Sequence, residues 1–557
     1  MSADEKPVSN IGAHLARAAQ RWPDRTSVVV PDGRERDGRA RWSSMSFAQL
    51  HAESQRVARG LATVGITRGT RTVVMVKPGL DLFTLVFGLF QAGVVPVMVD
   101  PGMGIRNLKT CLAEARPQAF IGIPIAHALR VILGWGRGTI EQRVTVGRRW
   151  FWGGHTLDEL RQAGSVASDE PLIVDPEPDE LAAILFTSGG TGVPKGVEYV
   201  HGNFLAQVEA IRTMYDIQPG EVNLPTFPLF ALFDPALGMT SVVPDMDATR
   251  PAKVNPERIY EAVQDWNVTT MFGSPALLDT VGRHGQAHGT ELPTVKRIMS
   301  AGAPVLAPVM ERVLSMLGQD AVIVTPYGAT EALPVATLSS REVLAETRHV
   351  ADAGGGVCVG QPVPSIRVAI LPIHDRPIPA FEPGQVLPVG EVGEICVKGP
   401  QVTRGYFGRD QATTLAKIPD PSGGFWHRMG DLGYLDEQGR LWFCGRKAHR
   451  VERDGQRWMS IPCEAVFNRH PAVRRTALVS IGTGQAVQPG LCVELEPGAK
   501  PGLASLVDEL RALGAAHPHT AAIEHFLVHP GFPVDIRHNA KVDRLALSRW
   551  ATDQLGA

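Results

Sequence analysis

From Ser46 onward the apolar positions of the chain switch repeatedly between a helical and a strand period. Ser46–Val64 has the spacing of an amphipathic helix, Arg71–Val76 that of a strand, Leu80–Ala92 of a second helix and Val94–Val99 of a second strand. This alternation predicts βαβ units and parallel sheet. Further strands are expected at 182–186, 269–272, 296–300 and 321–325, each running into a loop with a candidate ligand group. Ligands of open α/β sheets sit at the carboxyl ends of strands, where these loops fall. The apolar run 82–99 approaches the length of a membrane span, but Gln91, Gly93 and Pro96 interrupt it, which suits a buried helix followed by a buried strand.

After Gly399 the periodic pieces shorten to a strand at Gly433–Asp436, a turn at Glu437–Gly439 and a strand at Leu441–Cys444. A smaller unit is expected from Ala448 to Ala557, with helices near 463–469 and 502–514. The predicted fold class is therefore α/β. A large N-terminal domain, 1–447, carries mixed, mostly parallel sheets with packed helices, and a small α+β domain, 448–557, follows it. Five hundred and fifty-seven residues exceed what one core accommodates, in keeping with two units.

Charge and cysteines remove several function classes. A formal net charge of -2, with 20% charged residues and no run of lysines, offers no footprint for nucleic acid. The six cysteines include no Cys-x-x-Cys pair, so neither a zinc site nor a disulfide framework is expected. Met1–Asn10 is polar and has no apolar core of a signal peptide, so a reduced, cytoplasmic setting is expected.

Ile184–Gly196 carries the strongest chemical signal, Ile-Leu-Phe-Thr-Ser-Gly-Gly-Thr-Gly-Val-Pro-Lys-Gly. An apolar strand enters a loop in which Gly189, Gly190 and Gly192 free the backbone N–H groups to face an anion. Thr187, Ser188 and Thr191 add hydroxyls and Lys195 adds charge, so the loop is suited to phosphate. It is not a Walker A loop, because Gly196 stands where that motif needs Ser or Thr, and not a dinucleotide fingerprint, whose third glycine would fall on Lys195.

This segment resembles the phosphate loop of the adenylate-forming superfamily of acyl-CoA synthetases, luciferases and peptide-synthetase adenylation domains. Other segments match that superfamily in chain order. Tyr327-Gly-Ala-Thr-Glu331 is similar to its adenine and magnesium motif, Gly393–Gly399 to a structural strand, Gly430–Gly433 to the ribose-binding aspartate motif, and Gly445-Arg446 to the hinge entry. Lys541 is similar to its catalytic lysine near the C-terminus.

The resemblance implies ATP and Mg2+ as cofactors and gives each residue a role. Thr187, Ser188, Gly189, Gly190, Thr191, Gly192 and Lys195 would hold the β and γ phosphates. Glu331, with Thr187, would hold magnesium, and Thr330 would contact the α-phosphate. Gly302, Ala303, Pro304, Tyr327 and Gly328 would form the adenine slot. Asp431 would accept the ribose hydroxyls, with Arg446 beside it. Lys541, carried on a mobile C-terminal domain, would bridge the α-phosphate and the substrate carboxylate.

Four positions depart from the common pattern: Gly190, Ala231, Ala448 and the stretch Val451–Met459. The last replaces the small glycine-rich turn that borders the pantetheine tunnel in CoA ligases, and Arg457 and Trp458 are expected to obstruct that passage. Together with Pro228–Ala236 these features resemble the β-lactone synthetases of bacterial long-chain olefin biosynthesis. That resemblance implies adenylation of a long-chain 2-alkyl-3-hydroxy acid, closure of the lactone by its own 3-hydroxyl, and other enzymes of the olefin pathway as partners. A long- or medium-chain acyl-CoA synthetase shares every ATP-site residue and is the alternative.

One region stands apart from these motifs. Residues 130–152 mix Arg130, Arg137, Arg143, Arg148 and Arg149 with Trp135, Trp150, Phe151 and Trp152. Two readings are open: a solvated loop whose aromatics pack inward, or a surface for peripheral contact with lipid headgroups or a partner protein.

Overall fold

In a computed structural model the described residues are 8–167, 172–187, 194–484, 487–534 and 542–556. Ser188–Gly192 and Lys541 therefore lie outside them.

The first alternating units fold as the pattern predicts. Phe47–Thr63 is a helix entered through a capping box, in which Ser46 accepts from the Gln49 backbone N–H and the Gln49 side chain accepts from Ser46 N–H at 2.8 Å. Leu80–Gln91 is a helix buried on nearly every side, which explains why its sequence mimics a membrane span. Among the described residues no helix is long and apolar enough to cross a membrane. Strands Arg71–Met75, Val95–Met98, Ala119–Gly122, Gln142–Thr145 and His155–Thr156 join Leu181–Phe186 in a parallel sheet, and Gly196–Val200 closes its edge antiparallel.

A second, larger sheet combines both pairing modes. Strands Thr26–Arg34, Thr240–Val242, Val222–Pro225, Thr270–Phe272, Arg297–Met299 and Val322–Ala329 run parallel. From there Ala332–Ser339, Val357–Pro362, Leu441–Arg446, Phe425–Leu435, Gly393–Lys398 and Arg367–Leu371 continue it antiparallel. Phe425–Leu435 is much longer than the Gly433–Asp436 segment read from the sequence, and the whole Gly430–Gly433 motif lies inside it.

Lys447–His449 forms a single turn after the large sheet. Beyond it Val473–Ile481, Gln488–Leu495 and His525–Val528 form a small sheet covered by helices Ser460–Phe467 and Leu503–Ala515, with a separate apolar core that includes Trp458, Phe467 and Leu510. All six cysteines are buried and unpaired.

A buried carboxyl, Asp234, follows the segment Phe227–Phe233. The amide of Asn223 donates to both oxygens of Asp234, at 2.9 and 3.0 Å, and burial pushes the Asp234 carboxyl up to about 7. The folded state thus favours the protonated form, whereas an unfolded aspartate titrates near ~4. This group's contribution to stability is complete below about pH 4 and is lost as pH rises through about 7. Asp234→Asn keeps the volume and removes the ionisation. The variant is expected to exceed the parent in stability at pH 8 by on the order of 2 kcal/mol, the gap closing toward pH 4. Urea denaturation across pH 4–8 checks this, and parallel pH profiles for the two proteins would refute it.

Candidate active site

The phosphate-loop candidate is the connection of a β-hairpin. Phe186 pairs with Gly196 across strands Leu181–Phe186 and Gly196–Val200. At the base of the loop the Thr187 N–H donates to the Lys195 carbonyl at 3.0 Å, and the Lys195 N–H to Thr187 Oγ1 at 3.4 Å. Thr187 and Lys195 both line a cavity of about 2720 Å³. Ser188, Gly189, Gly190, Thr191 and Gly192 belong to the part of the loop outside the described residues.

The opposite wall is the end of strand Val322–Ala329, which turns at Thr330-Glu331 into Ala332–Ser339. Gly328 is needed there for space, because a Cβ would lie 2.6 Å from the Ala332 carbonyl oxygen. Backbone bonds fix the turn: Tyr199 Oη donates to the Thr330 carbonyl at 2.6 Å, and Thr403 N–H and Oγ1 donate to the Glu331 carbonyl at 2.9 and 3.1 Å. The Glu331 side chain is thereby held at the cavity, where Tyr406 Oη donates to its Oε1 at 2.8 Å.

Tyr406 also meets the phosphate loop, since Lys195 Nζ lies 4.6 Å from its ring centroid. Its position follows from pairing onto the hairpin: Phe407 N–H donates to the Gly196 carbonyl at 2.8 Å, and Glu198 N–H to the Gly405 carbonyl at 3.0 Å. One aromatic side chain thus links the loop's cation to the acidic residue expected to hold magnesium. The sequence reading missed it; its signal is a tyrosine between Gly405 and Gly408, in a segment without periodicity.

Asp431 and Arg446 are direct cross-strand partners in Phe425–Leu435 and Leu441–Arg446. Tyr327 Oη donates to Asp431 Oδ2 at 2.7 Å, and Arg446 Nη1 lies 3.1 Å from Asp431 Oδ1. Burial, and next the Asp431 charge, raises the Tyr327 phenol well above its usual range, so it stays a donor. Burial also raises the Asp431 carboxyl, and the Arg446 guanidinium opposes that shift. Gly302, at φ +96°, turns the chain after strand Arg297–Met299 so that Gly302, Ala303 and Pro304 line the same cavity as Tyr327 and Gly328. Tyr327, Glu331, Asp431 and Arg446, expected together on the sequence, are together in space.

A second feature that the sequence reading missed lies behind Glu331. Lys417 is buried and donates to the Thr403 carbonyl, the same residue that fixes the Glu331 backbone. Burial pulls its ammonium down to about 7, against the opposing pull of Glu331. Its cross-strand partner His427 lines the cavity and is pushed far below its usual range by burial and by Lys417.

The cavity extends well past these polar groups. Phe83, Phe87, Phe90, Phe230, Leu232 and Phe233 line one apolar part, and Met75, Leu108, Ile123, Ala126, Leu129 and Trp135 another. Ordinary small-ligand pockets occupy roughly 300–1,000 Å³. There is room for a nucleotide and a large apolar substrate together.

The expectation for Val451–Met459 is corrected. Val451–Arg453 and Gln456–Trp458 form a hairpin turning at Asp454-Gly455. Trp458 is 3% exposed and packs into the C-terminal core, and Arg457 pairs with Glu452 at the surface. Neither residue lines the cavity, so neither obstructs a passage in this arrangement, whereas Ala448 does line it. A tryptophan next to an arginine reads as an obstacle in sequence, but the hairpin turns its ring inward.

A family model described as AMP-binding enzyme matches residues 15–407. An olefin beta-lactone synthetase of Xanthomonas campestris is 52% identical over 98% of both chains, and one of Stenotrophomonas maltophilia is 50% identical over 98% of both. Among solved structures, the amide bond synthetase McbA of Marinactinospora thermotolerans superposes with a TM-score of 0.78 at 23% identity, covering 97% of this chain and 99% of that one. The O-succinylbenzoate coenzyme A synthetase of Bacillus subtilis superposes at 0.74 and 22%, covering 96% and 97%. These two likenesses concern the fold. The chain belongs to the AMP-binding enzyme family and, within it, to the family of the olefin beta-lactone synthetases.

Proposed function

We propose that the protein adenylates a long-chain 2-alkyl-3-hydroxy fatty acid with ATP and Mg2+ and then closes it to a β-lactone, releasing pyrophosphate and AMP. The observation that carries this reading is the convergence of Lys195, Glu331, Asp431 and Arg446 on one cavity that also has large apolar walls, with Phe83, Phe87, Phe90, Phe230 and Phe233 among them. Identity of 52% to an olefin beta-lactone synthetase over nearly the whole chain supports the second step.

In the first step the substrate carboxylate attacks the α-phosphorus and pyrophosphate departs, so negative charge gathers on phosphoryl oxygens. Lys195 offsets it with charge, and the hydroxyls and backbone N–H groups of the Thr187–Thr191 sequence supply donors. Glu331 and Thr187 offer hard oxygen donors that suit Mg2+, which when bound neutralises phosphate charge. Asp431 takes the ribose hydroxyls, and Tyr327 with Gly302–Pro304 and Gly328 contains the adenine. Lys541, carried by the unit from Ala448 onward, lowers the repulsion between carboxylate and α-phosphate.

In the second step the 3-hydroxyl oxygen attacks the activated carbonyl carbon, its proton is released, and the acyl–phosphate bond breaks to free AMP. An internal nucleophile has a high effective molarity, which offsets the strain of a four-membered ring. The apolar walls hold the alkyl chains at about 0.8 kcal/mol per buried CH2.

The nucleophile separates this reading from an acyl-CoA synthetase. With a 2-alkyl-3-hydroxy acid, AMP release is expected to be indifferent to CoA. An acid lacking the 3-hydroxyl is expected to stall as bound adenylate, releasing AMP about a hundredfold more slowly or worse. Product mass spectrometry with and without CoA reads both. If CoA accelerates AMP release from the simple acid and yields thioester, the lactone reading fails and the synthetase takes its place.

A further inference from the structure

Residues 130–152 are not a plain loop. Helix Pro124–Leu133 runs into them, and strand Gln142–Thr145 lies in the first sheet. Two of the four aromatics pack inward, Trp135 at 3% and Trp152 at 6% exposure. Trp150 and Phe151 do not, at 54% and 77%. Both are anchored beside the helix, because their rings lie 5.3 Å from Trp152, which itself stacks on His127 of that helix at 5.3 Å. The helix adds Ile125 and Ile132, one face apart by seven residues and exposed by 63% and 76%. Large exposed apolar side chains of this kind call for a partner.

The charge around the patch says which partner. Residues 101–157 hold eight Lys or Arg against two Asp or Glu, in a chain whose formal net charge is -2. Arg137 and Arg148 are exposed, while Arg149 pairs with Glu159 at 2.9 Å. Exposed Trp, Phe and Ile flanked by arginines form the composition of an interfacial anchor for anionic lipid. The patch is also continuous with the cavity, because Ile125, together with Ile105 at 55% exposure, lines the cavity while facing solvent.

We propose that the face formed by helix Pro124–Leu133 and residues 148–151 docks the protein on an anionic bilayer surface, with the cavity mouth at Ile105 and Ile125 turned to the lipid. Docking stands on exposure, charge and continuity with the cavity. Direct delivery of the substrate through that mouth rests in addition on the acyl substrate proposed above, whose alkyl chains leave water for a bilayer.

Co-sedimentation of the full chain with vesicles of phosphatidylcholine, with and without phosphatidylglycerol, tests the docking. Binding is expected to the anionic vesicles and to weaken with added salt. Ile132→Ser and Phe151→Ser are each expected to lower partitioning about tenfold, and Arg137→Gln and Arg148→Gln about fivefold each. Leu555→Ser, an exposed apolar site on the C-terminal helix, should bind like the parent. Turnover of a short, freely soluble 3-hydroxy acid should be unchanged in all five variants, which separates loss of docking from loss of fold. That turnover assay also reports on the proposed reaction without vesicles, so failure of either reading is seen separately. Equal binding to both vesicle types, or binding untouched by the apolar substitutions, overturns the proposal. So does self-association that Phe151→Ser abolishes while vesicle binding is absent, since the face would then join copies of the chain.

Discussion

Asp431→Ala is expected to raise the KM for ATP roughly a hundredfold to a thousandfold, the loss of two charge-assisted hydrogen bonds to the ribose. The structure adds a reason for the upper end. The Asp431 carboxylate accepts from Tyr327 Oη and sits 3.1 Å from the Arg446 guanidinium, so the substitution leaves a buried phenol and a neighbouring cation without their acceptor. Asp431→Asn keeps an oxygen that can accept from Tyr327 while losing the charge. It should therefore recover thermal stability before it recovers ATP affinity. Nucleotide titration alongside thermal unfolding separates the two effects. An Asp431→Ala protein with the parent's KM for ATP would remove this residue from the nucleotide site.

The motif residues were legible because several short segments, in chain order, resemble those of one superfamily. Only the phosphate loop was legible from its own chemistry, glycines, hydroxyls and a lysine after an apolar strand; Glu331, Asp431 and Arg446 were read from the resemblance of their ordered motifs to the adenylate-forming superfamily. The structure brings Lys195, Tyr327, Glu331, Asp431 and Arg446 to one cavity although up to 251 positions separate them in sequence. Tyr406 was not legible, since its value lies in two contacts made across other strands, to Lys195 and to Glu331. Nor was Lys417, because a lysine after Leu415-Ala416 reads as a solvated side chain until the pairing with His427 is known. Trp458 failed in the opposite direction. Its size was visible in the sequence, but which face of a two-residue hairpin it occupies depends on the register with Val451.

The same distinction applies to residues 130–152, where composition allowed an inward and an outward reading. Both occur, on alternate sides of one cluster. Trp152 donates from Nε1 to Thr145 Oγ1 at 2.9 Å and so satisfies its polar atom inside, while Phe151, with no polar atom, projects outside. An indole that finds a buried acceptor can be interior. An exposed phenylalanine gains nothing from water, so Phe151 carries the inference and Trp152 does not.

Glu331→Gln is expected to lower adenylation about a hundredfold and to regain part of it at high Mg2+. The geometry makes this substitution a clean probe of charge. Tyr406 Oη donates to one oxygen of Glu331, and the glutamine carbonyl can accept the same hydrogen bond, so the link from Lys195 through Tyr406 survives. The backbone of residue 331 is held by Thr403 N–H and Oγ1 whatever its side chain. The change therefore removes a formal charge beside the phosphate loop and little else. Tyr406→Phe is the complementary control, keeping the ring under Lys195 and the Glu331 charge while deleting their hydroxyl link. It should reduce activity less, with Mg2+ dependence near the parent's. Pyrophosphate release measured against Mg2+ concentration distinguishes the two variants. If Glu331→Gln matches the parent in rate and in Mg2+ dependence, Glu331 does not hold the metal, and the link through Tyr406 serves the fold of the loop alone.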